Sequence, residues 1–409
     1  MPVHRRSLAA LIAIVCLLAA LSSCSSGNVA PTSAPIDPSQ LADARIAGRA
    51  SAAFALDLLR KLDDDGNVVL SPWSITQALT MTAAGARGET QREMLAALGV
   101  GDSLPVDRLQ TAVAAVSDHS APLTAANALF PDARATIVPA FASEMQRTHH
   151  ATITPLDFSP ANAAAAAAQI NNWASQHTHG MVRDIVSAGD VTNNRLVIGN
   201  AVSFHGEWKT VFDHTAPGAF HLADGSSVPV TMMSHTHVDT TFSRARGRDL
   251  IAVSLPYQNS GCEMCLIVPT TGSLADLEAG LTGGQLDNLF DALDVGHDDK
   301  CQVVMPRFKF EWRDDLNDAL KALGMRRAFV PGEADLTGII ADGSLFISLV
   351  RHGACIEVDE KGTRAAAVTT VHMNKSMPPP PLMFDRPFLF LIRHVESGAI
   401  LFIGRFVKP

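Results

Sequence analysis

The residues with the clearest chemical role lie at 360–387, where the chain offers cleavable peptide bonds instead of a catalytic group. Small and polar residues fill most of this segment, and four consecutive prolines at 378–381 disfavour both helix and strand pairing at its far end. Exposed, extended loops are preferred sites of proteolytic cleavage. The segment is therefore a candidate substrate for a protease.

The same segment alternates between two kinds of side chain. Small or apolar residues occupy every second position from Thr363 to Met373, whereas the positions between them can face water. Three alanines at 365–367 favour helix, but the threonines and valine that follow disfavour it. The pattern predicts a loop that can become a strand buried on one face, and an ordinary edge strand or surface loop is the alternative.

These residues resemble the hinge and reactive loop of serpins, the serine protease inhibitor family. Further segments resemble serpin motifs in family order: 67–75, 127–130, 170–173, 200–208, 255–257, 305–308, 334–339 and 400–406. The resemblance covers roughly residues 47–409. Many ordered motifs along one chain are more specific than any single short pattern.

The resemblance implies an α+β serpin fold of three β-sheets with about nine helices and an exposed reactive loop at 360–383. In the family mechanism a serine protease attacks the loop and forms an acyl ester, and the hinge then inserts as a new strand of the main sheet. A strand of about fourteen residues spans roughly 45 Å, so the protease is carried far along the domain. Its distorted active site cannot deacylate, because a catalytic triad tolerates little misplacement. We therefore expect a monomeric suicide inhibitor that is not an enzyme and needs no cofactor or metal.

Specific roles follow from this resemblance. Glu360, Lys361 and Gly362 open the hinge, and Thr363 is expected to be the first inward residue to insert. The small residues Ala365, Ala366 and Ala367 would let the sheet accept the strand, whereas Arg364 departs from the glutamate usual in the family. The positions that resemble the polar shutter region beneath the opening sheet are Ser71, Pro72, Ser74, Asn200 and His352, and Trp208 matches the tryptophan near the point of loop entry.

The loop length of ordinary serpins places the cleaved bond between Ser376 and Met377. A small residue before the bond suits an elastase-like or subtilisin-like protease. Cleavage between Lys375 and Ser376 is the alternative, and it would indicate a trypsin-like target. Cleavage after Met377 is disfavoured because Pro378 follows directly.

Two other functions compete with inhibition. A serpin fold without inhibitory activity could serve as a binding or adhesion module at the cell surface, but Thr363 and the three alanines favour insertion. Gly101-Asp102-Ser103-Leu104 matches the nucleophile block of GDSL-type lipases, with Asp294 and His297 at a suitable spacing. That block belongs directly after the first strand of such an enzyme, whereas here it follows a predicted helix, so the esterase reading is disfavoured.

The N-terminus predicts export. His4-Arg5-Arg6 precede an apolar run too short for a comfortable membrane span, and residues 21–24 resemble a bacterial lipobox ending in Cys24. The predicted organisation is a lipoprotein signal peptide at 1–23, a lipidated Cys24 with a flexible tether at 24–46, and a serpin domain at 47–409. Lipidation would hold the protein at the outer face of the cell membrane. Simple secretion is the alternative.

Charge and cysteines limit the partners. The net charge is −9 and basic residues form no long run, which argues against nucleic acid, and residues 106–119 carry only Arg108 as a firm positive charge, which argues against a heparin-like activator. The mature chain keeps Cys262, Cys265, Cys301 and Cys355, and export permits disulfides among them. Cys262 and Cys265 lie three apart on a predicted strand, so structural cysteines are favoured over a redox or zinc site. A bridge between Cys301 and Cys355 stays open.

Overall fold

Helices make up much of the chain. The computed structural model describes residues 35–62, 64–120, 123–178, 180, 182–235, 241–246, 249–295, 298–300, 302–363 and 381–409. The α-helices within these ranges are α1 Pro38–Leu59, α2 Pro72–Gly85, α3 Gly88–Ala97, α4 Val106–His119, α5 Pro139–His149, α6 Ala163–His177, α7 Ala188–Val191, α8 Leu274–Gly280, α9 Gly283–Val295 and α10 Asn317–Ala322. None of these described helices has the length and apolar character of a membrane span.

Three β-sheets form the rest of the framework. Their strands are β1 Val68–Leu70, β2 Leu123–Pro131, β3 Thr152–Ile153, β4 Leu196–Phe204, β5 Gly206–Glu207, β6 His214–His221, β7 Ser227–Ser234, β8 Thr241–Arg246, β9 Leu250–Pro256, β10 Cys262–Pro269, β11 Asp298–Lys300, β12 Val303–Pro306, β13 Phe308–Asp315, β14 Leu349–Val358, β15 Gly362–Thr363, β16 Leu382–Met383, β17 Phe388–His394 and β18 Ile400–Phe406. The predicted α+β fold of three sheets is confirmed. The described residues contain ten α-helices where about nine were expected.

The strand orders define the three sheets. The central sheet runs β3-β2-β4-β14-β15-β5, with β13 paired to β14. The core sheet runs β1-β18-β17-β10-β9-β8-β11, and the small sheet runs β16-β12-β7-β6. All residues of β10, β17 and β18 are buried, which explains their nearly continuous apolar sequences.

The first helix begins earlier than the predicted domain boundary at residue 47. Asp37 caps α1 by accepting a hydrogen bond from the backbone N–H of Ser39 (2.8 Å), and Pro38 occupies the first helical position. Ile36 is buried, and its backbone N–H donates to Glu396 (3.1 Å). Residues 38–46, assigned to a flexible tether from their composition, are therefore helical.

Helix α6 covers one face of the central sheet. Its alanines and Ile170 form a second, smaller hydrophobic cluster with residues of β2 and β4. Trp173 contacts Phe130 edge-to-face, with ring centroids 5.6 Å apart. The close approach depends on Gly199, where an added Cβ would lie 2.7 Å from Phe130. Any widening of the central sheet must therefore disturb the packing of α6.

Candidate functional site

A single carboxylate holds the turn that follows β14. Oδ1 of Asp359 accepts hydrogen bonds from the backbone N–H groups of Lys361 (2.9 Å) and Gly362 (3.2 Å). The backbone N–H of Asp359 donates to the carbonyl of Gly362 (2.9 Å). Aspartate side chains often close turns in this way. The turn reverses the chain, so that Gly362 and Thr363 run back alongside β14.

The short strand β15 lies between β14 and β5, in a space that we name the sheet opening. Thr363 pairs with Val358 of β14 on one side and with Gly206 of β5 on the other. A Cβ on Gly362 would lie 2.1 Å from the carbonyl oxygen of Gly206, so glycine is required there. Thr363 is only 2% exposed. The beginning of the predicted hinge is thus already a strand of the central sheet.

The segment after β5 satisfies the carbonyl groups of the hinge. The backbone N–H of Trp208 donates to the carbonyl of Lys361 (2.7 Å), and its indole N–H donates to the carbonyl of Asp359 (3.0 Å). The backbone N–H of Phe212 donates to the carbonyl of Glu360 (2.8 Å). Three consecutive hinge carbonyls therefore have partners, which fixes the turn in one position.

Tyr257 forms the floor of the sheet opening. It is the only tyrosine of the chain, and its ring stacks on Trp208 with centroids 4.6 Å apart. Its hydroxyl lies 2.8 Å from Oγ1 of Thr363. Complete burial raises the pKa of Tyr257 well above its ordinary value, so the hydroxyl stays protonated. The hydroxyl of Thr363 is therefore satisfied inside the protein, which makes its burial possible.

An ion pair supports the hinge from the outside. Arg307, which precedes β13, contacts the carboxylate of Glu360, with Nε 3.1 Å from Oε1. The arginine is about half exposed, so solvent screens this pair. Its contribution is expected to be small beside that of the buried contacts.

Below the sheet opening, β4 and β14 pair directly. Residues 349–353 of β14 form a parallel ladder with residues 197–201 of β4. We name this part the closed ladder. The backbone of His352 is opposite that of Asn200, which in turn is opposite Asn127 of β2. A new strand between β4 and β14 would have to replace the hydrogen bonds of the closed ladder with its own.

Ser71, one of the residues predicted for the shutter region, lies behind the closed ladder at the start of α2. The backbone N–H of Ser71 donates to Nε2 of His352 (3.0 Å), so Nδ1 carries the proton of the neutral ring. The hydroxyl of Ser71 donates to the carbonyl of Leu401 (2.6 Å) and accepts from the backbone N–H of Ser74 (3.3 Å). Complete burial lowers the pKa of His352 to about 3, and the ring is neutral at pH 7.

The structure groups the described residues predicted for the site into two places. Those in or beside the sheet opening are Glu360, Lys361, Gly362, Thr363 and Trp208, and those beside the closed ladder are Ser71, Pro72, Ser74, Asn200 and His352. The predicted residues outside the described ranges are Arg364, Ala365, Ala366, Ala367, Lys375, Ser376, Met377, Cys24 and Cys301. The assignments of the hinge roles, the cleaved bond and the lipid anchor stay predictions.

Sequence reasoning missed three residues of the sheet opening. Asp359 and Phe212 stood outside every motif, and Tyr257 stood in a motif without an assigned role. Asp359 was detectable, because an aspartate three residues before a glycine, as in Asp359-Glu360-Lys361-Gly362, is a common turn signal. The contacts of Phe212 and Tyr257 join residues far apart in the chain, so only the folded structure reveals them.

The cysteines and the esterase motif show no catalytic arrangement in the described residues. Cys262 and Cys265 are buried free thiols on β10, and burial raises the pKa of Cys262 to about 12. Such thiols stay protonated and unreactive. Ser103 ends a short 3₁₀ helix, and Asp294 is paired with Arg393. The described side chains include no group of three or more potential metal ligands.

Comparisons with known proteins agree with this geometry. The family model described as Serpin (serine protease inhibitor) matches residues 49–409. The leukocyte elastase inhibitor of Sus scrofa is 35% identical over 383 residues, which cover 88% of this chain and 98% of that protein. Among solved structures, the thermophilic serpin tengpin in its native state superposes with a TM-score of 0.78 and 26% identity, covering 92% of this chain and 96% of that one.

Human thyroxine-binding globulin, solved in complex with thyroxine, is similar to the same extent. Its TM-score is 0.79 at 25% identity, and the match covers 90% of this chain and 99% of that one. The similar proteins thus include one named as a protease inhibitor and one named as a hormone-binding protein. The family match and the long, nearly complete alignments nevertheless agree on one assignment: the chain belongs to the serpin family.

Proposed function

We propose that this protein inhibits a serine protease as a suicide substrate. The observation that carries the proposal is the position of Thr363, which is buried between β14 and β5 at the entrance to the closed ladder. A hinge that has begun to enter the sheet needs only to continue along the same path. The small residues that follow Thr363 in the sequence are compatible with that path.

The proposed chemistry begins as ordinary proteolysis. The hydroxyl of the protease serine attacks the carbonyl carbon of Ser376, an ester forms, and the amine of Met377 leaves with a proton. Cleavage between Lys375 and Ser376 is the alternative, with the ester on Lys375. The bond between Ser376 and Met377 suits an elastase-like or subtilisin-like protease, whereas the bond between Lys375 and Ser376 suits a trypsin-like protease. The ester is then trapped because the hinge inserts before water can attack it.

The closed ladder is the proposed route of insertion. The incoming strand would separate residues 349–353 from residues 197–201 and hydrogen-bond to both. Two former neighbours would then each pair with the new strand, so the sheet gains a ladder. The buried contacts of His352 with Ser71 must adjust as the strands separate.

Incubation of the purified protein with an elastase, a subtilisin and a trypsin tests the proposal. A covalent complex that survives denaturing electrophoresis, with release of a peptide beginning at Met377 or Ser376, is the expected result. Intact mass then identifies the cleaved bond. Cleavage of the loop without a complex and without thermal stabilisation would instead support the non-inhibitory binding or adhesion module.

We also propose that a lipid on Cys24 anchors the protein at the outer face of the cell membrane. The support is the apolar leader and the lipobox-like residues 21–24. Detergent phase partitioning of the native protein and of the Cys24→Ser variant tests this location. Partitioning of the native protein into the aqueous phase would indicate simple secretion.

A further inference from the structure

The segment that follows α6 lies across the closed ladder. Residues 182–191, which we name the strap, place four buried apolar side chains in the smaller hydrophobic cluster. Val197 of β4 and Leu349 of β14 belong to the same cluster. A Cβ on Gly353 of β14 would lie 3.3 Å from a methyl carbon of Val182 in the strap. The strap therefore covers both strands of the closed ladder.

Hydrogen bonds fasten the strap to α6. The side-chain amide of Asn171 donates to the carbonyl of Val186 (2.8 Å) and accepts from its backbone N–H (3.1 Å). Oγ1 of Thr178 accepts from the backbone N–H of Val182 (3.0 Å). Because α6 packs on β2 and β4, these bonds hold the strap to the β4 side of the closed ladder.

Two arginines fasten the strap to the opposite side of the closed ladder. Nη2 of Arg351 in β14 lies 2.9 Å from Oδ1 of Asp190. Nη1 of Arg313 in β13 donates to the carbonyl of Asp184 (2.7 Å). Elsewhere the packing is open, because a cavity of about 440 Å³ lies between residues 182–185 and the strands β13 and β14. The two arginines therefore provide much of the hold on this side.

The pair of Arg351 and Asp190 is well formed but expensive for the fold. Burial alone would raise the pKa of Asp190, but hydrogen bonds from Ser187 and the charge of Arg351 hold it below its ordinary value. Nε of Arg351 is buried without a partner among the described residues. An apolar side chain would avoid the cost of that unsatisfied donor, so stability alone does not explain the arginine.

We propose that Arg351 and Asp190 form an ionic clasp that holds the closed ladder shut and slows strand insertion, a role that rests on the proposed inhibitory function. A strand inserted between β4 and β14 would move them apart by about 4.8 Å. The strap then cannot keep both its bonds to α6 and its ion pair with Arg351. Opening of the clasp is therefore part of insertion, and the two residues are positioning residues for it.

A synthetic peptide of residues 365–376 tests the clasp without a protease, because it can enter the closed ladder as an added strand. Fluorescence anisotropy of the labelled peptide measures its rate of incorporation into the full-length protein. Asp190→Asn keeps an oxygen that accepts from Ser187 but loses the charge that faces Arg351. Incorporation should become about fivefold faster, the factor that about 1 kcal/mol corresponds to.

A matched control and salt separate the clasp from a general effect of charge. Asp318→Asn removes a carboxylate that pairs with Lys321 on α10, away from the closed ladder, and should leave the rate unchanged. Raising the salt concentration from about 0.05 M to about 1 M should speed incorporation in the original protein, because salt screens the pair. The increase should be smaller in Asp190→Asn, which has no pair to screen.

Substitutions of Arg351 distinguish the clasp from a purely structural contact. Arg351→Met removes both the ion pair and the unsatisfied Nε, so the stability to urea should change little while incorporation becomes faster. Arg351→Lys keeps the charge and should restore most of the slow rate. Equal rates in the original protein, Asp190→Asn and Arg351→Met would overturn the clasp and leave the inhibitory function intact. No incorporation in any of these proteins would contradict both the clasp and the insertion on which it rests.

Discussion

Two regions along β14 differ in what lies beside this strand. In the closed ladder, β4 and β14 exchange hydrogen bonds directly over residues 197–201 and 349–353. Towards the other end of β14, the two residues of β15 separate it from β5, and Asp359 and Trp208 hold the hinge in place. At one end β14 is therefore separated from β5 by the hinge residues, and at the other end it pairs directly with β4.

For the proposed insertion, this difference places the expected barrier at the closed ladder. The backbone of Gly362 and Thr363 is already paired with neighbouring strands of the sheet instead of with water. Further insertion gains nothing until the closed ladder breaks, because each backbone group there already has a partner. Changes at the sheet opening should hence alter how insertion starts, and changes beside the closed ladder should alter how far it proceeds.

The largest effect is expected from Thr363→Arg. An unpaired charge at a position that is 2% exposed costs several kcal/mol, so the hinge would leave the sheet opening. The variant should be cleaved as fast as the original protein but form at least about tenfold less covalent complex, the factor that 1.4 kcal/mol corresponds to. Gel quantification of complex against cleaved inhibitor measures this. Thr363→Ser, which keeps the hydroxyl, is the matched control, and equal complex formation by both variants would contradict insertion at Thr363.

The second-largest effect is expected from acid, which should lower the free energy of unfolding by protonating His352 beside the closed ladder. The pKa of His352 falls from 6.5 to about 3 on folding, so the unfolded chain binds a proton more readily than the folded one. The stability that the neutral ring provides is fully present above pH 6.5 and is lost as the pH falls from 6.5 towards 3. Urea unfolding between pH 7.5 and 4.5 should show this decline.

The variant His352→Gln distinguishes the contribution of His352 to this pH dependence from the contributions of the other buried histidines. His149, His235 and His394 have pKa values lowered to about 4 and decline over a similar range. His352→Gln keeps an acceptor for Ser71 but cannot titrate, so the pH slope should shrink by about one proton, or about tenfold in the unfolding constant per pH unit. An unchanged slope would show that His352 is not neutral and buried in the folded protein.

A smaller effect is expected from Gly362→Ala. The added Cβ would lie 2.1 Å from the carbonyl oxygen of Gly206, so the strands of the sheet opening must move apart. Overpacking of this kind costs about 1–3 kcal/mol. The free energy of unfolding in urea measures it. Gly280→Ala is the control, because no atom lies within 4 Å of its Cβ position, and equal losses in the two variants would exclude a steric role.

The smallest effect is expected from Tyr257→Phe. This change removes the hydrogen bond to Thr363 but leaves the ring stacked on Trp208, at a cost of about 1 kcal/mol. Hydrogen exchange at the backbone amide of Thr363 should become faster. The double variant with Thr363→Val should cost clearly less than the sum of the two single changes, since the two hydroxyls bond each other. A full additive cost would mean that the hydroxyls have other partners.

The sequence allowed the fold to be predicted better than the site. Ordered family motifs identified the three-sheet architecture, and the apolar run at 262–268 lies within a buried strand as predicted. The start of α1 was missed because its alanine and polar residues were read as a linker, although Asp37-Pro38 is a strong helix start. The hydrogen bonds of Trp208, Phe212 and Tyr257 to the hinge depend on long-range packing, which no local pattern encodes.

The place of β18 has a consequence for the order of folding. This strand is made after every other described strand, yet it lies inside the core sheet between β1 and β17. The carbonyl of Leu401 in β18 also receives the hydroxyl of Ser71, at the other end of the chain. Contacts of such long sequence separation form late and slowly. The nascent chain therefore cannot complete its core sheet before β18 has left the ribosome, however early the preceding strands are made.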